Sequence, residues 1–246
     1  VPFVFFWATG RLERRLKLPL LGILCLGGLQ GAIGWWMVAS GLTKRVDVSQ
    51  YRLAVHLTVA CLIFASVTWV WRALSRHSGQ TQVAVGPSRL AAVIVFCVML
   101  QIYLGALVAG LDAGLAYNTW PLMDGALVPD GLTVIQPVWL NAFENAKAVQ
   151  FLHRMSAYFL LLLVFANLLW LRHRLPGTPH ANRALVLLGL VCLQASIGIT
   201  TLVLAVPIGW ALAHQGLAIL LLGFAVAHWR AFAGEYPRPT EVAVRL

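Results

Sequence analysis

AVQFLHRMSAYFLLLLVFANLLWL (148–171) decides how the rest of the chain is read. It is long enough to cross a bilayer, which takes about 20 residues of helix. Yet an ionisable His153 and a full charge, Arg154, lie about one turn inside an otherwise uncharged apolar run. A group of that kind at that depth costs roughly 2.5 kcal/mol or more on insertion scales, so it needs a partner or a purpose. For a histidine the direct purpose is to hold a metal or a haem iron.

Composition sets the frame for that idea. The chain is 60% hydrophobic and 11% charged, with a mean hydropathy of +0.82, outside the range of a soluble globular domain. Segments 18–37, 53–71, 90–111, 148–171, 184–206 and 208–229 are each long and apolar enough to span, with a tight turn expected at Val206-Pro207. The fold class is therefore all-α: a polytopic membrane protein of six complete transmembrane helices. Val1 to Ala8 is apolar but too short to span, and it carries no basic start or small-residue cleavage site of a signal peptide. The net charge of +10 does not point to nucleic acid, because the basic residues fall mostly in short loops between apolar runs, where they set orientation. Cys25, Cys61, Cys97 and Cys192 all lie within apolar runs, so no loop disulfide is expected.

Loop charge orients the chain. Arg11, Arg14, Arg15, Lys17, Arg72, Arg76, Arg89, Arg172, Arg174, Arg183, Arg230, Arg238 and Arg245 fall on one side, leaving Lys44, Arg45, Arg52, Lys147 and Arg154 for the other. The first side is cytoplasmic by the positive-inside rule, so the connection 112–146 faces outward. With Trp120, Trp139 and prolines 121, 129 and 137 it is too aromatic for a simple linker and is read as a folded cap over the helix ends. His77, His173 and His180 then lie in inner loops and His228 at the inner end of the last helix, where solvated or interfacial histidines are expected. His56, His153 and His214 each lie just inside the outer end of a different helix, all within roughly 10 Å of one boundary. A shared level on three helices favours metal or haem ligation over hydrogen-bonded structural histidines.

The chain repeats itself. Leu-Gln-x-x-(Ile/Leu)-Gly occurs at 29–34 (LQGAIG), 100–105 (LQIYLG) and 193–198 (LQASIG), which points to duplication. Gln30 is followed by His56 and Gln194 by His214, each on the next helix. The last four helices form one unit, residues 90–246, and residues 1–89 match the second part of such a unit. Equivalence of the halves leads us to expect an eight-helix parent, with a first helix and most of a second preceding Val1.

Two histidines on facing helices of a four-helix bundle can hold a haem edge-on, and His153 and His214 are placed to do so. Zinc is the weaker alternative, since the helices lack the carboxylate or cysteine ligands that complete a tetrahedral site. Gly27, Gly31, Gly34, Gly105, Gly110 and Gly198 could flank a flat macrocycle or serve close helix packing, as the Gly27-x-x-x-Gly31 spacing allows. Arg52 and Arg154, beside His56 and His153, could meet haem propionates or snorkel to the interface. Gln30, Gln101 and Gln194 could donate to a propionate or a histidine, and linking helices is the favoured reading.

LGGLQGAIGWWMVASGL (26–42), VSQYRLAVHL (48–57), LAYNTWPLMDG (115–125), ENAKAVQFLHRMSAY (144–158) and the His214-Gln215 helix closely resemble the haem A synthase, or Cox15/CtaA, family in its proteobacterial and mitochondrial branch. The resemblance covers essentially the whole chain. It implies an eight-helix membrane protein of two similar four-helix halves that oxidises the C8 methyl of haem O to a formyl group, making haem A for cytochrome oxidase. It implies that His153 and His214 ligate a resident haem b while His56 ligates haem O as substrate, with Arg154 and Arg52 beside them. The catalytic Glu expected of a Glu-x-x-His pattern would lie on the preceding helix. In this chain the equivalent place is Gln150, so no catalytic carboxylate is assigned and the 246 residues alone are expected to be inactive. The family's outer-loop cysteine pair is absent, so a mechanism needing it does not transfer. Expected partners are membrane lipid, haem O synthase, an electron donor or acceptor and a second copy of the chain, in a bacterial or mitochondrial inner membrane, with no nucleic acid. The alternative functions are a di-haem b-type electron-transfer protein without synthase activity and, counted against by the off-centre histidine layer, a transporter.

Overall fold

The computed structural model describes residues 2–39, 48–74 and 85–233. Lys44, Arg45, Arg76, His77, Arg238 and Arg245, used above to orient the chain, lie outside the described residues. A short α1 (Pro2–Ala8) precedes six long helices: α2 (Arg14–Ala39), α3 (Gln50–Leu74), α4 (Val85–Gly110), α7 (Ala146–Arg174), α8 (Pro179–Val203) and α9 (Ile208–Arg230). Between α4 and α7 lie α5 (Ala113–Ala116), a single 3-10 turn and α6 (Asn141–Glu144). The six long helices are each long and apolar enough to cross a membrane, so the all-α polytopic reading holds.

Most of the helices outrun their apolar stretches, because charged residues at the ends continue the backbone hydrogen-bond ladder into the interface. Two helices stop short at their ends: α4 at Gly110 rather than 111 and α8, by more, at Val203 rather than 206. Ala205 and Val206 both adopt left-handed backbone, at φ 59° and 58°, and Pro207 caps the start of α9 without donating an N–H.

Helices α4, α7, α8 and α9 pack in sequence order and close on themselves through α4 and α9, forming a four-helix ring. Helix α3 lies in the groove between α4 and α9, and α2 packs on α3. Close approach of α3 to α4 depends on Gly110, where a Cβ would stand 2.7 Å from the Gln50 backbone. Phe64 of α3 likewise sits 3.1 Å from where Gly223 of α9 would carry a Cβ.

The main core is built from Cys61 of α3, Ile94, Val95 and Val98 of α4, Leu160 and Val164 of α7, Leu187 and Val191 of α8, and Leu221, Leu222, Ala225 and Val226 of α9. These residues run from the middle of their helices toward the basic ends. Large apolar side chains such as Phe96, Phe159, Leu162 and Leu220 point outward and stay exposed, as lipid-facing positions do.

Two histidines depart from the sequence expectation. His180 and His228 are not solvated: they are 4% and 1% exposed. Phe232, just beyond α9, stacks on His180 at 4.6 Å and meets His228 edge-on at 5.1 Å, and Asn167 Nδ2 lies 3.4 Å from His228 Nε2. The start of α8 and the end of α9 pack tightly there, so the histidines fill the joint. His173 is exposed, as expected.

Candidate functional site: three histidines seated on glycine

Each Leu-Gln-x-x-x-Gly segment holds the histidine of the next long helix. A Cβ built on Gly34 would stand 3.1 Å from Cε1 of His56; on Gly105, 3.1 Å from Cε1 of His153; on Gly198, 2.7 Å from Cε1 of His214. Only glycine leaves room for the ring to lie against the neighbouring backbone. The glutamine one turn earlier donates Nε2–H to the backbone carbonyl of the same histidine: Gln30 to His56 at 3.1 Å, Gln101 to His153 at 3.1 Å and Gln194 to His214 at 2.9 Å. The glutamines therefore link helices, as favoured, and they do so through the histidines themselves. At Gly27 and Gly31 nothing lies within 4 Å among the described residues.

His56, His153 and His214 all lie within the first two turns of α3, α7 and α9. The main core stops one to two turns short of them, at Val98, Leu160, Val191 and Leu221. His153 and His214 stand on diagonally placed helices of the ring, each seated on a glycine of the long helix before it. Among the described residues no three His, Cys, Asp or Glu side chains gather as a metal cage would require. Two imidazoles on diagonal helices above a closed apolar core instead suit a haem, which asks the protein for only one or two ligands.

Arg154 is 9% exposed and does not snorkel. Its Nη1 donates to the Thr119 carbonyl at 2.9 Å and its Nη2 to that of Tyr117 at 2.9 Å. Gln150, one turn before it, is 2% exposed and donates to the same Tyr117 carbonyl at 3.1 Å. Together they staple the connection 112–146 onto α7. The depth of Arg154 is thus explained by the loop carbonyls it binds, while its Nε is left without a partner among the described residues.

The connection is a folded cap, as its composition indicated. Asp124 and Gly125 take φ of 57° and 80°, the pair of left-handed residues a tight primed turn requires, and Met123 and Ala126 pair across it at 2.9 and 3.2 Å. Asn118 reaches the Leu202 carbonyl of α8 at 2.9 Å, Trp120 Nε1 donates to the Tyr158 hydroxyl at 3.0 Å, and Lys147 pairs with Asp124 at 2.7 Å. Buried Asn141 bonds Ile135 in both directions. Arg52 lies beside the first half's histidine, donating to the Trp36 carbonyl at 2.6 Å with its guanidinium 4.4 Å above the Trp36 ring.

The family model for COX15-CtaA, cytochrome oxidase assembly protein, matches residues 1–226. A protein of Sinorhizobium medicae (strain WSM419) named Heme A synthase is 60% identical over 245 residues, covering 100% of this chain and 67% of the relative. One of the same name from Rhizobium etli (strain CIAT 652) is 58% identical over the same length and the same shares. With a glycine-seated histidine on three helices, a stapled cap and a match over nearly its full length, the chain belongs to the COX15-CtaA family of cytochrome oxidase assembly proteins.

Proposed function

We propose that the chain works in haem A biosynthesis as part of a haem A synthase, which oxidises the C8 methyl of haem O to a formyl group; residues 1–246 by themselves, with no assigned catalytic carboxylate, hold haem without completing that oxidation. The observation that supports this best is the pair His153 and His214 on diagonal helices, each seated on a glycine in a closed four-helix ring above an apolar core. In this reading residues 90–246 form a haem b half and residues 1–89 belong to the substrate half. His153 and His214 hold haem b through their ring nitrogens, and His56 holds haem O. Arg154 Nε, buried and without a partner among the described residues, and Arg52 face propionates. Haem b supplies one-electron transfer when bound. The protein's own part would be to hold the haems through His153, His214 and His56, to keep water from the apolar core and to close that end of the bundle with the connection 112–146.

Turning a methyl into a formyl is a four-electron oxidation with one oxygen added, so the reaction needs an electron acceptor and an oxygen source outside these residues. The histidine layer belongs at the outer, periplasmic side, because the basic ends of α3, α7 and α9 lie at the opposite end of each helix.

The test is expression in cells that make haem O, followed by haem extraction and mass analysis. Wild-type protein should carry haem b with a low-spin, two-histidine spectrum, together with unoxidised haem O. His153→Ala and His214→Ala should each abolish the haem b spectrum. A spectrum that survives both changes overturns the ligand assignment, and haem b without any haem O leaves an electron-transfer protein.

A further inference from the structure

The three histidine seats are built alike but are not equally fixed. In the His153 seat Gln101 Nε2 lies 3.1 Å from Nδ1 and 3.2 Å from Nε2 of the ring. Those nitrogens flank Cε1, so an amide approaching in the ring plane at such distances would overlap that carbon; the amide therefore lies over the ring face. An N–H over a π face is a weak contact, so its role is to set orientation. The amide itself is held at three points. Ser156 Oγ donates to Gln101 Oε1, one Nε2–H goes to the His153 carbonyl at 3.1 Å, and the other caps the imidazole. This also settles which amide atom is nitrogen, because an oxygen there would face the His153 carbonyl.

The other seats lack this lock. Three residues after His153 comes Ser156, but three after His214 comes Leu217 and three after His56 comes Val59. Correspondingly, Oε1 of Gln194 and of Gln30 is buried with no partner among the described residues. Gln194 still sits over its ring, 3.1 Å from Nδ1 and 3.5 Å from Nε2 of His214. Gln30 lies 3.3 Å from Nε2 of His56, whose Nδ1 is buried and unpartnered.

The geometry points to Gln101 and Ser156 as positioning residues for His153, fixing its ring plane and leaving Nε2 as the nitrogen offered to haem iron. Nε2 is the ring nitrogen farther from the seating glycine, at 4.0 Å from the Gly105 Cβ position against 3.7 Å for Nδ1. This rests on the haem b reading above. A glutamine that only tied two helices together would need neither the face contact nor the hydroxyl.

Electron paramagnetic resonance and a redox titration of the haem-loaded chain test it, because the low-spin g values and the midpoint potential report how the axial imidazoles are set. Ser156→Ala and Gln101→Leu should each shift both quantities, and Ser156→Thr, which restores the hydroxyl, should return the wild-type values. Unchanged g values and potential in Ser156→Ala and Gln101→Leu overturn the proposal. Should Gln101→Leu lose haem through misfolding, Ser156→Ala decides alone, since it leaves the helix link intact. Should Ser156→Ala lose haem as well, recovery in Ser156→Thr supports the assignment and failure to recover overturns it. A wild-type chain without a two-histidine signal overturns the haem reading itself.

Discussion

At the scale of single residues the site is governed by what a glycine omits. His214 could not keep its place beside any side chain at 198, because a Cβ there would come within 2.7 Å of Cε1. Gly198→Ala forces the ring or the helix to move, at the roughly 1–3 kcal/mol typical of overpacking. If that cost falls on the ligand, haem retention should drop about tenfold or more, measured as haem per protein after purification. Gly189→Ala, on the same helix, is the matched control: nothing lies within 4 Å of it, and haem content should be unchanged. The Gly27-x-x-x-Gly31 pair has no neighbour within 4 Å among the described residues. A small-residue pair is a packing signal only when a partner helix is laid on it, and spacing does not say where the partner goes.

At the scale of elements, the costly Arg154 is a fastener rather than an intruder in lipid. Its guanidinium presents several N–H donors in a fixed fork, and it directs them to the carbonyls of Thr119 and Tyr117. Arg154→Met should destabilise the cap by about 3 kcal/mol, the order expected when hydrogen bonds to a charged group are lost. Limited proteolysis from the outer side should then cut within 112–146 faster than in the wild type, with Arg154→Lys intermediate because a single ammonium cannot bridge both carbonyls. Gln150 shares this task through Tyr117, which is why a residue in that place is 2% exposed without being a carboxylate. The signal for the fastener was present in the sequence as two polar residues one turn apart inside an apolar run. What they would bind was not, since the acceptors lie more than 30 residues away.

At the scale of the whole molecule, direction follows from charge. His56, His153 and His214 lie near the starts of α3, α7 and α9 and Arg72, Arg172, Arg174 and Arg230 at their ends, while Arg89 and Arg183 stand near the starts of α4 and α8, so the site and most of these arginines occupy opposite ends of the bundle. A cysteine placed at Leu127, 73% exposed in the cap, in a background with the four native cysteines replaced, should react with an impermeant maleimide in intact spheroplasts. One at Gly177, between α7 and α8, should react only after permeabilisation. The reverse pattern would place the site on the cytoplasmic side.

The sequence alone determined the membrane class, the six spans, the repeat, the family and the three histidines, because each rests on hydropathy, spacing or motif, which are local properties of a chain. The tertiary structure decided which helices adjoin, that His180 and His228 are buried in a joint around Phe232, and that Arg154 belongs to the cap. It also decided that Ser156 distinguishes one seat from its two repeats, a difference invisible in the Leu-Gln-x-x-x-Gly pattern since the serine stands on the neighbouring helix. The physical reason is the same in each case: a buried polar group is explained by the partner it meets, and such partners are brought together by packing across the bundle rather than by nearness along the chain.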